Sequence, residues 1–145
     1  MNPLFRPTLA LGLMLGAVRL TAAGSMNMNG EILASYVKVS AALAADDLAA
    51  AKTAAAAVAE HAGMSGQKDI AANADAVAKA GKIDAARTSF KALSTAVEPL
   101  AAGQKNYVVM NCPMANADWV QTGTAVKNPY YGKAMLNCGA QKKAK

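Results

Sequence analysis

Ile83-Asp84-Ala85-Ala86-Arg87-Thr88-Ser89-Phe90-Lys91-Ala92-Leu93-Ser94-Thr95-Ala96-Val97 is the stretch that decides the fold. Ile83, Ala86, Phe90, Leu93, Val97 and then Leu100 step by three and four, the spacing of one apolar stripe along an α-helix. The spacing predicts a helix from Ile83 to about Leu100, with Pro99 kinking or fraying its last turn. The same pattern occurs upstream. Leu48-Ala49-Ala50-Ala51-Lys52-Thr53 aligns with Ile83-Asp84-Ala85-Ala86-Arg87-Thr88 at an offset of 35 residues, and Val58 then matches Leu93.

Working outward, three more helices are expected. One runs from about Glu31 to Ala45, with Ile32, Leu33, Tyr36, Val39, Ser40 and Leu43 on one side. Asp46-Asp47 supplies a turn and an N-cap carboxylate for the next, which runs to about Ala62. Gly63 and the Ser65-Gly66 pair mark its break. The third covers about Lys68 to Ala80, and Gly81 ends it. Each half of the repeat is then an antiparallel helical hairpin. Neither hairpin can bury its stripe alone, so the expected fold is all-α: a four-helix bundle of two repeated hairpins. A period of 35 residues also suits tetratricopeptide repeats, but only two copies are present and their large-residue signature is missing.

The stripes are thin because they are made largely of alanine. Alanine buries little apolar area, at roughly 25 cal/mol per Å2, so such a bundle gains from a staple such as a disulfide or a metal. After Gly103 the composition changes. Tyr107-Val108-Val109-Met110 is a β-type run, followed by Pro113, Gly123, Pro129, Gly132 and Gly139. Residues 104–145 are read as an irregular, partly β cap on the bundle of residues 24–103, with one helical turn near Lys133 to Leu136.

Residues 1–23 have the composition of a secretory signal: Arg6, an apolar run from Leu9 to Val18, and small residues at Thr21-Ala22-Ala23-Gly24. That run is shorter than the roughly 20 residues a bilayer requires, so no membrane span is expected in the mature form. Cleavage after Ala23 predicts a periplasmic protein. Losing Arg6 and Arg19 takes the formal charge from +6 to +4. The remaining excess lies late, at Lys105, Lys127, Lys133, Lys142, Lys143 and Lys145 against Asp118, and reads as a solvated surface with a basic tail. No basic patch is interleaved with aromatics, so nucleic acid is not an expected partner.

The chain has two cysteines, and each lies within three residues of a methionine: Met110, Cys112 and Met114, then Met135 and Cys138. Thiolates and thioethers form a soft ligand set suited to Cu(I) or Ag(I); zinc prefers four Cys or His ligands. In an extended strand Met110, Cys112 and Met114 project to one face, though Pro113 can bend the chain there. Met135 and Cys138 share a side in a helical turn. The competing reading is a disulfide, the common use of two cysteines in an exported domain, with the methionines as core filling. His61, the single histidine, with Met64 three residues on, is a solvated or capping residue, a fifth ligand, or part of a second weak metal site. Met26 and Met28 read as a disordered tail. Trp119, Tyr130 and Tyr131 are expected to anchor the cap, and Asn128-Pro129 and Gly132 to form a turn. No nucleophile elbow, phosphate loop or zinc-hydrolase motif is present, so no enzyme is expected.

These residues also carry a resemblance. Asp46-Asp47-Leu48, Ala86-Arg87 with Phe90 and Leu93-Ser94, Cys112-Pro113-Met114-Ala115, Trp119, Asn128-Pro129-Tyr130-Tyr131-Gly132, and Met135 with Cys138-Gly139 are the motifs. Over roughly residues 30–140 the chain resembles a domain of unknown function found in exported bacterial proteins. The same domain occurs at the C-terminal end of some periplasmic adaptor subunits of heavy-metal efflux pumps. The resemblance implies soft-metal binding, with Cys112, Met114, Met135 and Cys138 as candidate ligands and an efflux adaptor as a possible partner. Relatives often carry a histidine or aromatic residue just before the Cys-Pro-Met triplet; here that position is Asn111.

Overall fold

Asn27 opens the first helix, its side-chain oxygen accepting the Gly30 N–H at 3.2 Å. The structure, a computed structural model, describes residues 27–143. The expected signal segment and Met26 lie outside the described residues. Helix α1 runs Met28–Ala44, so Met28 is its first residue rather than part of a tail. Asp46 adopts a left-handed conformation in the turn. Asp47 then caps α2 (Leu48–Met64), accepting the Ala50 N–H at 2.9 Å. Gly63 does not break α2 as its sequence suggests. The helix passes through it and ends at Ser65, with Gly66 at φ +73° beyond. Helix α3 is Lys68–Ala78 and α4 is Ile83–Val97. Pro99 has no N–H to continue the α-helical ladder, and the chain tightens into a 3-10 turn over Glu98–Ala101.

The repeat is visible atom by atom. Leu48 and Ile83 are the first residues of α2 and α4. Thr53 Oγ1 donates to the Ala49 carbonyl at 3.1 Å, and Thr88 Oγ1, 35 residues on, donates to the Asp84 carbonyl at 2.9 Å. The paired positions Ala51/Ala86, Ala55/Phe90, Val58/Leu93 and Ala62/Val97 are all fully buried. The copies differ where they meet different neighbours. Phe90 replaces alanine because its ring fills space beside the cap, stacked on Tyr36 at 5.1 Å between centroids.

Helices adjacent in sequence pack most closely: α1 with α2, α2 with α3, α3 with α4. Alanine permits that close approach. Contact between α1 and α4 is sparser, and the C-terminal sheet lies against both. Strands β1 (Val108–Cys112), β2 (Ala117–Gln121) and β3 (Ala140–Gln141) form an antiparallel sheet in the order β2-β1-β3. The fold is therefore four helices with a small sheet, in keeping with a helical bundle and a partly β cap.

Trp119, Tyr130, Phe90 and Tyr36 form an aromatic row between sheet and helices, with Trp119 edge-on to Tyr130 at 6.0 Å and Tyr130 5.8 Å from Phe90. Strand β2 turns its outer edge toward the helices, where its backbone polar groups need partners. Val120 N–H donates to Tyr36 Oη at 3.3 Å, and Tyr130 Oη donates to the Asp118 carbonyl. Both tyrosine hydroxyls also bond Ser94 Oγ, at 2.6 and 3.2 Å. Among the described residues no helix is long and apolar enough to cross a membrane.

Candidate functional site

Arg87 ties the cap to the bundle. Its guanidinium donates to the Leu43 carbonyl and the Pro129 carbonyl, each at 3.0 Å, and pairs with Asp46 at 2.5 Å. The other Asp46 oxygen accepts the Lys133 N–H at 3.2 Å. The Arg87 hydrogen bond holds the Asp46 carboxyl below its usual pKa. Gly132, at φ +57°, passes so close that a Cβ there would collide with Asp46 and Arg87. Asp46, Arg87 and the Asn128–Gly132 loop, far apart in sequence, thus form one junction.

The loop is built on Asn128, which is fully buried. Its Oδ1 accepts the Tyr130 N–H at 2.8 Å and the Tyr131 N–H at 3.3 Å, an Asx-type turn. Its backbone N–H donates to the Leu136 carbonyl at 2.8 Å, and its carbonyl accepts the Gly132 N–H at 3.1 Å. From there a 3-10 turn, Gly132–Met135, carries the chain to Cys138, whose N–H bonds the Met135 carbonyl at 3.0 Å. The Asn128 side-chain N–H donates to the Cys138 carbonyl at 2.6 Å.

Opposite lies Cys112, the last residue of β1. The β1–β2 register pairs it with Ala117 and leaves Pro113 to Asn116 as the turn. The two sulfurs are 3.2 Å apart. Cys112 is fully buried and Cys138 partly exposed. Burial pushes the Cys112 thiol up, but hydrogen bonds from the Ala115 N–H, Cys138, the Asn128 side chain and the Met114 N–H outweigh it. The net effect holds Cys112 below the ordinary thiol pKa. Cys138 moves the other way, raised first by its hydrogen bond to Cys112 and then by burial. The pair is thus polarised into a thiolate-prone Cys112 and a proton-holding Cys138.

The strand after Cys138 is held in place as well. Gly139 passes against the Trp119 ring, with no room for a Cβ. Beyond β3, Lys142 Nζ reaches Glu98 at 2.7 Å and Asp118 at 2.6 Å, and Asn111 donates to Asp118 at 2.6 Å. These partners raise the Lys142 pKa and lower that of Asp118, the latter against the opposing effect of burial.

The expected ligands therefore divide. Cys112 and Cys138 meet. Met135 is partly buried one turn before Cys138. Met114 does not share the face of Met110 and Cys112: the strand ends before Pro113, and Met114 is 64% exposed in the turn. Met110 is buried core. His61 and Met64 are elsewhere. His61 lies in the last turn of α2, with Nδ1 3.4 Å from Ser35 Oγ. Asp46, at the opposite end of that 17-residue helix, is what touches the cap. The length of α2 is about 25 Å. Among the described residues no three His, Cys, Asp or Glu side chains gather to hold a metal ion.

Sequence reasoning missed the roles of Asp46, Arg87 and Asn128 as a junction, and of Lys142. An unusual signal was present at Arg87: an arginine near the start of an apolar helix, facing no acidic residue of its own turn except Asp84. No curated protein and no solved structure matches the chain. The family described as "Protein of unknown function (DUF3347)" matches residues 32–107, the four helices up to the residue before β1, so that the cysteines lie beyond the matched segment. That match spans more than half of the sequence, and the chain belongs to the DUF3347 family.

Proposed function

We propose that this protein binds one soft metal ion, Cu(I) or Ag(I), in the periplasm and serves as a metallochaperone or scavenger alongside heavy-metal efflux. The observation that carries the reading is the cysteine pair: two sulfurs 3.2 Å apart, with the Cys112 thiol, pushed up by burial, held net below its ordinary pKa by hydrogen bonding. N–H donors around a sulfur favour its thiolate, the form that ligates metal. Soft sulfur donors select Cu(I) or Ag(I) over hard cations. Met135, three residues before Cys138, and the exposed Met114, two residues after Cys112, are the thioethers proposed to complete the shell. The metal is cargo, and no chemical step on a substrate is proposed. The resemblance to domains carried by efflux adaptors supports such an adaptor as partner.

Ligation needs both thiolates, so loading releases whatever protons the two thiols hold. Oxidation competes, because it removes two protons and two electrons from the same two sulfurs and leaves a disulfide that is not a comparable ligand. The same 3.2 Å separation favours a second reading, in which the bridge is permanent and the cap is a structural or interaction module. A competition titration with a Cu(I) chelator under reducing conditions separates the two. Tight 1:1 binding is expected for wild type and loss of it for Cys112→Ser. Met135→Ala and Met114→Ala should weaken binding and leave the fold intact. Equal affinity for wild type and Cys112→Ser would end the metal reading in favour of the staple.

A further inference from the structure

Asn128 bonds in two directions at once. Its Oδ1 takes the N–H groups of Tyr130 and Tyr131 and so shapes the loop. Because the oxygen is committed there, the amide nitrogen must face the cysteines. It donates to the Cys138 carbonyl at 2.6 Å. The two cysteines arrive from separate elements, the end of β1 and the segment after the 3-10 turn. Asn128 holds the backbone of the second, Cys138, whose sulfur lies 3.2 Å from that of Cys112.

We infer that Asn128 is a positioning residue for the cysteine pair: its oxygen builds the loop, and its N–H group holds the Cys138 backbone so that the Cys138 sulfur lies against that of Cys112. The inference rests on the metal reading above and adds to it the residue that sets affinity. Groups that orient metal ligands typically change affinity 10- to 100-fold when altered. The turn seen in sequence is only half of the role. Any acceptor at this position can make the turn; the donor half is needed only for the cysteines.

Asn128→Asp, assayed above the pH at which its carboxyl ionises, separates the halves, because it then keeps the oxygen acceptor and has no donor. Titrated with Cu(I) against a chelator beside wild type and Cys112→Ser, it should bind about 10- to 100-fold more weakly than wild type. Its near-ultraviolet circular dichroism, reporting Trp119 and Tyr130, should stay that of wild type. A folded Asn128→Asp with wild-type affinity overturns the inference alone. Equal affinity in wild type and Cys112→Ser overturns the metal reading and the inference with it. A second measurement uses the unaltered chain, so the variant's folding does not decide the matter. In 15N-labelled reduced protein, Ag(I) should shift the side-chain amide protons of Asn128 and leave those of Asn111, bonded to Asp118, in place. An unmoved Asn128 amide on saturation with Ag(I) overturns the inference.

Discussion

At the scale of single residues, the Asp46–Arg87 pair shows how a charge can serve a junction. Arg87 spends its donors on two carbonyls and one carboxylate drawn from α1, the following turn and the cap loop. Asp46 has its pKa lowered, chiefly by the Arg87 hydrogen bond. A carboxylate whose folded pKa lies below its unfolded value adds stability above about pH 4 and loses it as pH falls through the folded value. Asp118, lowered net by Lys142 and Asn111, acts in the same sense. Trp119 fluorescence should therefore report loosening of the cap below about pH 4, with a shallower acid transition in Asp46→Asn. An identical acid transition in Asp46→Asn would contradict this role. None of this was legible in the sequence. Arg87 and its partners at Leu43 and Pro129 are more than forty positions apart, and a bond to a backbone carbonyl leaves no mark on the partner's identity. The alanine stripes, by contrast, were readable because helical burial repeats locally.

At the scale of elements, the instructive contact is β2 against α1 and α4. An edge strand exposes unpaired backbone groups, and here tyrosine hydroxyls from α1 and the loop meet them, joined through Ser94. Tyr36→Phe keeps the ring stack on Phe90 and leaves the Val120 N–H without its acceptor. It should cost roughly 1–3 kcal/mol in urea unfolding. A change near zero would mean that the strand edge finds another partner. Sequence periodicity puts Tyr36 on its stripe, but it leaves Ser94 off that of α4 and cannot show that their hydroxyls join. The strand reading also met a limit at Pro113. Alternation puts Met114 on the Cys112 face only while the strand continues, and proline ends it one residue too early.

At the scale of the whole molecule, the cysteines close a loop spanning 26 positions that contains β2 and the Asn128 loop. Chain-entropy reasoning gives a bridge across such a loop about 3–4 kcal/mol of stabilisation. The oxidised protein should therefore unfold at higher urea than the reduced one, and a bound soft metal should act in the same direction. Equal midpoints for oxidised and reduced protein would show that the cap does not need its staple. The sequence made the meeting of Cys112 and Cys138 an expectation on either reading, because both uses require it. It leaves His61 and Met64 open between a solvated helix end and a metal role, since the distance between the two ends of α2 matters only once the cap is placed.

The central claim is that one soft metal ion is shared by these two sulfurs. X-ray absorption at the copper edge, on reduced protein loaded with one equivalent of Cu(I), tests it most directly. The account predicts a sulfur-only first shell in wild type that loses sulfur in both Cys112→Ser and Cys138→Ser. A shell dominated by nitrogen or oxygen, or one unchanged by either substitution, would contradict it.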